Sequence, residues 1–482
     1  MSFKKIAARG IIFGLLLAML LTGASCTKGT KKGETQTQPP LDDSGYSLKI
    51  ERTDYNCDFT VLYPTWGMYT NFFFAEDAGS DDMQTSIFRR KQLVEDYLGV
   101  NVIGYSSGGI TTITPEVINN SLSGTDNYQL VLTHTYQGVA TLVGEGYLAD
   151  LYEMEALELE ADYWNLNVIQ ELEVGGSAYL ALSDYMLSDP NAIFFNKNLL
   201  AMYGELEDPY QLVRDGRWTL EMMMEMASAV SLSNGDDVWD KNDTYGFGAM
   251  GNWQFLSLID SCEIELVRND DGYKQLNMGG DNVKYQALYD YCSELCDAQW
   301  SYLYAYGDTE NAMSIIDGHA LLTLESLKNA YTYRESVLKF GFLPLPKYDE
   351  NQENYWSFDW SGMMCVPAAI QNQTMVAETL ECLSYFSGDT TVVSYYEKLL
   401  GDRLANEPQD YEMLQIIFNG IVSNGVINYI SDYSSPLYSL VYTIPYSLLH
   451  AKLKNNTVKT LASSWAENKD AAQIIIDQFM NS

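Results

Sequence analysis

Basic and imidazole side chains are scarce in this chain of 482 residues. It has 28 lysines and arginines against 65 aspartates and glutamates, a net charge of −37, and three histidines. A surface this acidic repels nucleic acid and anionic lipid headgroups, so we predict neither as a partner. The histidines, His134, His319 and His450, are far apart in sequence and leave little for zinc ligation or general acid–base catalysis.

Several well-known catalytic motifs are missing as well. There is no HExxH, P-loop or CxxC pattern. One GxGxxG pattern occurs at 246–251, but a dinucleotide site needs a buried strand directly before it, and residues 234–244 read as a polar loop. That acidic loop lacks the glycine and the terminal glutamate of a calcium loop, so a surface turn around Asp240 is favoured and an ion site stays open. We predict no catalytic residue, no cofactor and no metal.

Cysteines are too few and too dispersed for a disulfide framework. Six follow Cys26, and only Cys292 and Cys296 lie one helical turn apart. Small buried thiols are the favoured interpretation, and the sequence leaves open whether any of them pair.

Long apolar runs are absent except at the start of the chain. Residues 11–21 are apolar, follow three basic residues and precede the small residues 23–25, which is the pattern of a secretory signal peptide over 1–25. A cysteine at this point, Cys26, resembles the lipobox of bacterial lipoproteins, although Gly23 stands where such motifs usually carry Leu. That resemblance implies a diacylglycerol and palmitate anchor on Cys26. Residues 26–44 are polar, with Gly and Pro, and predict a flexible spacer.

The rest of the chain alternates between strand and helix signals. Residues 59–63, 128–133 and 320–324 predict short buried strands, and residues 138–151 predict a helix. Such alternation predicts α/β layers with mostly parallel sheets, in which ligands bind beyond the carboxyl ends of the strands. The length predicts two or three domains.

Aromatic side chains are abundant, with 36 tyrosines and 9 tryptophans. Several follow predicted strands, where flat rings can stack on sugar rings while nearby carboxylates accept hydroxyl hydrogen bonds. A single aromatic residue near a strand end is about as often part of the core or its rim as it is a ligand contact. The prediction of a sugar site therefore depends on the aromatic residues taken together.

Several segments resemble one family, the family 1 extracellular solute-binding proteins of ABC importers. The matching segments are IFFNKNL at 193–199, DPYQLVRDGRWT at 208–219, YGF at 245–247, GHALL at 318–322, FGFLPLPKY at 340–348 and YEMLQII at 411–417. Their order and spacing cover practically the whole chain after the spacer. Within the second segment, Thr219 is predicted to cap a helix and Trp218 to pack structurally.

The resemblance implies an α/β, type II periplasmic-binding-protein-like fold, with two lobes around a central cleft. By analogy the N-lobe takes 45–190 and 362–428, and the C-lobe takes 191–361 and 429–482, with hinge crossings at 189–190 and 357–362. It further implies a monomer on the outer face of the cytoplasmic membrane, held there by its N-terminal lipid. The implied activity is capture of a sugar or oligosaccharide for delivery to ABC permease subunits.

Placement after strands selects the candidate ligand-binding residues. They are Trp66, His134, Asp184, Tyr185, Trp253, Glu325, Trp356, Asp359 and Trp360. Among them, Trp253 and Trp360 are assigned to stacking, and Asp184 and Glu325 to hydroxyl recognition. Two alternatives stay open: a surface glycan-binding protein without a transport role, and a secreted glycosidase, because 65 acidic residues make any carboxylate pair unremarkable.

Overall fold

The structure is a computed structural model that describes most of the chain. The described ranges are 47–65, 73–79, 82–134, 138–251, 253–270, 273–277, 282–333, 336–359, 362–395, 408–422 and 435–480. The predicted signal peptide, Cys26 and the spacer lie outside these ranges, as do Trp66 and Trp360. Within them, no helix combines the length and the apolar composition needed to cross a bilayer.

The first sheet has four strands, three of them parallel. They are β1 (Cys57–Tyr63), β2 (Val100–Ser106), β3 (Leu130–Thr133) and β13 (Met363–Cys365), in the order β13-β3-β1-β2. β1 pairs in parallel with β2 and β3, whereas β13 runs antiparallel to β3. β3 is buried at every position, as expected for a parallel strand covered on both faces. The strands predicted at 59–63 and 128–133 are both present, with slightly different ends.

The second sheet has six strands. They are β4 (Asn191–Asn196), β5 (Ser231–Leu232), β6 (Thr244–Met250), β9 (Ser301–Tyr304), β10 (Ala320–Ser326) and β11 (Phe340–Leu343). β6 is parallel to β9 and β10, while β4 is antiparallel to both β10 and β11. A separate hairpin of β7 (Val267–Asp270) and β8 (Tyr273–Leu276) lies outside this sheet.

Helices pack against the sheets and form the hydrophobic cores with them. The α-helices are Asp82–Leu98, Ile113–Leu122, Val139–Gly144, Leu166–Glu171, Lys197–Met202, Pro209–Arg214, Leu220–Ser228, Ser257–Ser261, Val283–Asp297, Asn329–Tyr333, Gln373–Gly388, Pro408–Asn419, Pro436–Val441, Ala451–Leu453 and Leu461–Met480. Short 3₁₀ turns occupy Ile110–Thr112, Leu151–Glu153, Trp253–Leu256 and Ile315–Asp317, and Thr443–His450 is a π-helix. One large core surrounds the first sheet and another the second.

The helix predicted over 138–151 is shorter than the sequence pattern indicates. It covers only Val139–Gly144, because Gly146 adopts a left-handed φ of 73° and its N–H bonds back to Val143 O. A glycine in this conformation ends a helix. The rest of that segment is irregular up to the 3₁₀ turn at Leu151–Glu153.

The segment 208–219 is a structural motif. The Asp208 carboxylate caps the helix Pro209–Arg214 by accepting the Tyr210 N–H at 3.0 Å. Thr219 caps the next helix by accepting the Met222 N–H, as predicted. Trp218 is fully buried and its indole N–H donates to Pro344 O at 2.9 Å. This confirms the structural interpretation of Trp218.

The helix Pro408–Asn419 lies against the second sheet, although the sequence-based boundary groups it with the N-lobe. Its buried Asp410 carboxylate pairs with the Lys197 ammonium at 2.6 Å and accepts a hydrogen bond from the Tyr210 hydroxyl. It also accepts the Phe342 N–H of β11 at 3.3 Å. These contacts join the helix to the edge strand of the second sheet, a pairing with no local signal in the sequence.

Candidate ligand cleft

The two sheets meet at the carboxyl ends of their parallel strands. The chain enters β4 at Asn191, which pairs with Ser326 at the carboxyl end of β10. It enters β13 at Met363, which pairs with Thr133 at the carboxyl end of β3. Both crossings therefore lie at the carboxyl edges of the two sheets, so these two edges face each other across the hinge. Ligands of open α/β sheets bind beyond such edges.

Short pairings hold the crossing segments together. Pro190 forms an antiparallel bridge with Asp359. The two-residue strand β12 (Ser357–Phe358) runs parallel to β14 (Ile421–Val422), so a third segment lies beside the other two. A hinge of this kind lets loop residues absorb backbone rotation while each sheet moves as a body.

Asp189 anchors the first crossing to the second lobe. Its carboxylate, only 3% exposed as a residue, accepts hydrogen bonds from Ser326 Oγ at 2.6 Å and from the Lys328 N–H at 3.1 Å. The Lys328 ammonium lies 2.7 Å from the same carboxylate. The Asp189 N–H donates to the Asp359 carboxylate at 2.9 Å. Asp359, a candidate from the sequence, is thus a buried residue that links two crossings.

Three candidates lie on the first lobe. His134 directly follows β3 and is buried, and this burial lowers the pKa of its imidazole to about 3, so the ring is neutral at physiological pH. Tyr185 is buried beneath Phe73, with ring centroids 5.5 Å apart, and beneath the Arg90 guanidinium 4.4 Å from its ring. Asp184 is half-buried, and its N–H donates to Tyr163 O at 2.8 Å. In this conformation neither His134 nor Tyr185 presents its ring to solvent.

Arg90 fixes this part of the first lobe. Its buried guanidinium donates to Phe73 O at 3.1 Å, to Thr391 Oγ1 at 3.2 Å and to Ser387 Oγ at 3.2 Å. Burial lowers the pKa of Arg90 to about 10, which still leaves it charged at neutral pH. The side chain therefore joins the helix Asp82–Leu98 to the wall that carries Phe73 and Tyr185.

Glu325, at the end of β10, is surrounded by donors from its own lobe. It accepts the Ile315 N–H at 2.8 Å, the Thr323 hydroxyl at 2.7 Å, the Tyr333 hydroxyl at 2.6 Å and the Asn329 amide at 3.1 Å. A carboxylate has about four lone-pair positions, so these bonds nearly saturate it. The geometry suits a group that orients Tyr333 and the 3₁₀ turn Ile315–Asp317.

Tryptophan candidates on the second lobe are divided between two places. Trp253 begins the 3₁₀ turn directly after β6, at the cleft edge, and its side chain lies outside the described atoms. Trp356 lies before β12 and is half-buried, and its indole N–H donates to Glu263 Oε1 at 2.8 Å. Trp356 therefore contacts the helical layer beside the hinge.

Two features that suggested cofactor or ion chemistry have packing roles. Gly246 and Gly248 lie inside strand β6, where a Cβ on Gly246 would stand 1.7 Å from Ala227 O. In the acidic loop, the Asp243 carboxylate accepts the N–H groups of Asn234 and Asp240, and these bonds lower its pKa. Within the described ranges, no group of three or more His, Cys, Asp or Glu side chains is placed to hold a metal ion.

Sequence reasoning missed several residues at the cleft edge. Tyr63, the last residue of β1, stacks on Phe74 with ring centroids 4.9 Å apart and planes at 25°. Ser106 is the last residue of β2, a strand that the sequence pattern did not predict. The buried hydroxyls of Ser106 and Tyr185 have no hydrogen-bond partner among the described residues. Extending the search to the last residue of each strand would have found Tyr63.

Known structures share this architecture. No family model matches the sequence, and no curated protein matches it. The galacto-N-biose/lacto-N-biose I-binding protein of an ABC transporter from Bifidobacterium longum, in complex with lacto-N-biose, superposes with a TM-score of 0.58 at 14% identity, covering 88% of this chain and 97% of that one. The cyclic α-maltosyl-1,6-maltose binding protein from Arthrobacter globiformis gives 0.57 at 12% identity, covering 88% and 99%.

A third structure, an ABC substrate-binding protein from Listeria monocytogenes in complex with cycloalternan, gives a TM-score of 0.56 at 13% identity, covering 88% of this chain and 99% of that one. These superpositions cover 88% of this chain and 97% or more of each of the other proteins. The fold implied by the sequence resemblance is confirmed. The chain has the α/β, two-lobed type II periplasmic-binding-protein fold of ABC-transporter solute-binding proteins, with a central cleft and a crossing-segment hinge.

Proposed function

We propose that this protein is an extracellular solute-binding protein that captures a sugar or oligosaccharide between its lobes and delivers it to an ABC permease. The observation that carries the proposal is that the carboxyl edges of the two sheets face each other across a hinge. The crossing segments of that hinge are held together by short β-pairings. The three structures described above are of proteins that bind, or are in complex with, a carbohydrate, and this supports the ligand class. No bond is made or broken in this function.

The cleft edge has groups suited to a polyhydroxylated ligand. Tyr63, the last residue of β1, stacks on Phe74, and the buried hydroxyls of Ser106 and Tyr185 have no hydrogen-bond partner among the described residues. Aromatic faces stack on sugar rings, and buried hydroxyls without a partner are satisfied by a ligand or by water. Since Trp253 directly follows β6, we assign it to the facing edge of the second lobe.

We keep Trp253 and Trp360 as the proposed stacking residues, and Trp66 as a further proposed ligand-binding residue. For Glu325, the saturated carboxylate supports a positioning role toward Tyr333 in place of direct hydroxyl recognition. His134, with its neutral ring, is a proposed donor or acceptor beneath the ligand.

Closure follows from differential binding. A ligand that touches both lobes binds the closed conformation more tightly than the open one, and only this difference shifts the equilibrium. A micromolar dissociation constant corresponds to about 8 kcal/mol, which a few stacked rings and several hydroxyl hydrogen bonds can supply. The permease then recognises the closed shape.

We also propose that the protein is a monomer tethered to the outer face of the cytoplasmic membrane by lipid on Cys26. The signal peptide 1–25 and the spacer 26–44 support this arrangement. Metabolic labelling with an alkynyl palmitate analogue tests it. Label is expected in the wild-type protein and absent from Cys26→Ala, which is released to the medium; equal labelling of both would refute the anchor.

A thermal-shift screen over a carbohydrate panel tests the ligand class, because a ligand that binds only the folded state raises the melting temperature. We expect at least one mono- or oligosaccharide to raise it, and to be recovered intact after incubation. Cleaved sugar would favour the glycosidase alternative. Trp253→Ala and Trp360→Ala are each expected to weaken the hit at least tenfold, and unchanged affinity in both would remove the stacking assignment.

A further inference from the structure

A second concave surface lies on the second lobe, beside the hinge. It is an open groove of about 530 Å³ between the loop after the helix Ser257–Ser261, the end of β8, the start of the helix Val283–Asp297 and the C-terminal helix. Its lining residues include Glu263, Glu265, Asn277, Lys284 and Trp465. Binding sites for small molecules typically span about 300–1,000 Å³. The groove is therefore large enough for one or two sugar rings.

One wall of the groove is fixed by internal contacts. Glu263 Oε1 accepts the indole N–H of Trp356 at 2.8 Å, and Oε2 lies 3.8 Å from the Lys284 ammonium. Lys284 also donates to Cys262 O at 3.1 Å. Glu263 has a φ of 52°, a left-handed conformation that a glutamate adopts only when its surroundings impose it. These contacts hold this wall in place before any ligand arrives.

Other residues that line the groove carry polar groups without a hydrogen-bond partner in the described ranges. The Trp465 indole N–H, the Glu265 carboxylate and the Asn277 side-chain amide make no hydrogen bond to any described residue. Trp465 is half-buried, so part of its ring faces the groove. An indole face beside a carboxylate and an amide is the combination that recognises sugar rings and their hydroxyls.

The groove is separate from the cleft between the lobes. Trp356, just before the crossing strand β12, donates to the lining residue Glu263, and the N–H of the lining residue Leu276 donates to Gln473 of the C-terminal helix at 2.9 Å. The carboxyl ends of β6, β9 and β10 do not line it. We propose that this groove is a second binding site, for an uncharged disaccharide that stacks on Trp465 and bonds to Glu265 and Asn277.

Fluorine NMR of the mature chain labelled with 5-fluorotryptophan tests the proposal. The resonance of Trp465 is assigned by its loss in Trp465→Phe, and the chain is titrated with maltose, cellobiose and lactose to about 20 mM. We expect a saturable shift of the Trp465 resonance with at least one of them. Glu265→Gln and Asn277→Ala are expected to raise its dissociation constant about threefold or more each.

Matched controls separate this site from general effects of sugar or charge. The exposed Trp239 on the same lobe reports non-specific solvent effects, and its resonance is expected to stay unchanged. Glu205→Gln removes another exposed carboxylate of this lobe and is expected to leave the Trp465 titration unaltered. The proposal would be overturned if none of the three sugars gave a saturable shift of the Trp465 resonance. It would also be overturned if both Glu265→Gln and Asn277→Ala bound the sugar with the affinity of the wild-type chain. Compaction of the lobes, measured by small-angle scattering, reports on ligand binding in the cleft alone. A negative NMR result for the groove therefore does not count against ligand capture in the cleft, and a negative scattering result does not count against the groove.

Discussion

Glu381 lies in the core of the first lobe, and its ionisation is expected to destabilise that lobe as the pH rises. The carboxyl group is on the helix Gln373–Gly388 and is 1% exposed as a residue. It accepts hydrogen bonds from the Tyr163 hydroxyl, from the Trp164 indole at 3.0 Å and from the Glu158 N–H at 3.2 Å. Burial outweighs these donors and raises its pKa from 4.5 to about 7, with a further increase from the charge of Glu158.

The sign and size of the effect follow from linkage. Because the folded state holds this proton more tightly than the unfolded state, the contribution is fully favourable below pH 4.5 and is lost as the pH rises through about 7. With these two pKa values, the free energy of unfolding contributed by Glu381 falls by about 2 to 3 kcal/mol between about pH 5 and about pH 8. Glu381→Gln retains an acceptor for Trp164 but does not titrate.

Urea unfolding at several pH values, followed by circular dichroism, measures this difference. The wild-type protein is expected to lose about 2 to 3 kcal/mol relative to Glu381→Gln over that range. Glu145→Gln, which removes an exposed carboxylate of the same lobe, controls for net charge and should follow the wild type. Parallel curves for wild type and Glu381→Gln would refute the reasoning.

Three further predictions concern packing and the hinge. Asp410→Asn leaves the Lys197 ammonium without its buried partner and should lower the free energy of unfolding by about 3 kcal/mol in urea denaturation, whereas no loss would show that the pair is dispensable. Gly246→Ala brings a Cβ within 1.7 Å of a backbone oxygen and should abolish soluble expression or cost more than about 3 kcal/mol, which a native-like melting temperature would contradict. Lys328→Met removes the ammonium that pairs with Asp189 and should change ligand affinity at least threefold; identical affinity by calorimetry would exclude the hinge role.

Much of the fold could be predicted from the sequence because its strands are short, apolar and bounded by turn residues. The strand at 320–324 is part of β10, and the cap at Thr219 lies where the sequence places it. The two-lobe arrangement came from the family resemblance, since composition and periodicity carry no information on how two sheets face each other.

The candidate site was harder to predict, because burial depends on tertiary contacts. Tyr185 follows a polar turn in sequence, yet Arg90, 95 residues earlier in the chain, covers its ring. Glu325 has the position of a ligand-binding residue but is saturated by donors from two other segments. Trp356 points to Glu263, a contact that links residues 93 apart. Rules based on position after a strand select an edge of the sheet, but they do not identify which side chains at that edge are left exposed.

The central claim is that two lobes close on a carbohydrate, and small-angle X-ray scattering tests it most directly. A folded body of this size has a radius of gyration of about 22 Å. With saturating amounts of a sugar that raises the melting temperature, we expect the radius to fall by about 1 Å as the lobes close. A ligand that stabilises the protein while the scattering curve stays unchanged would contradict capture by lobe closure.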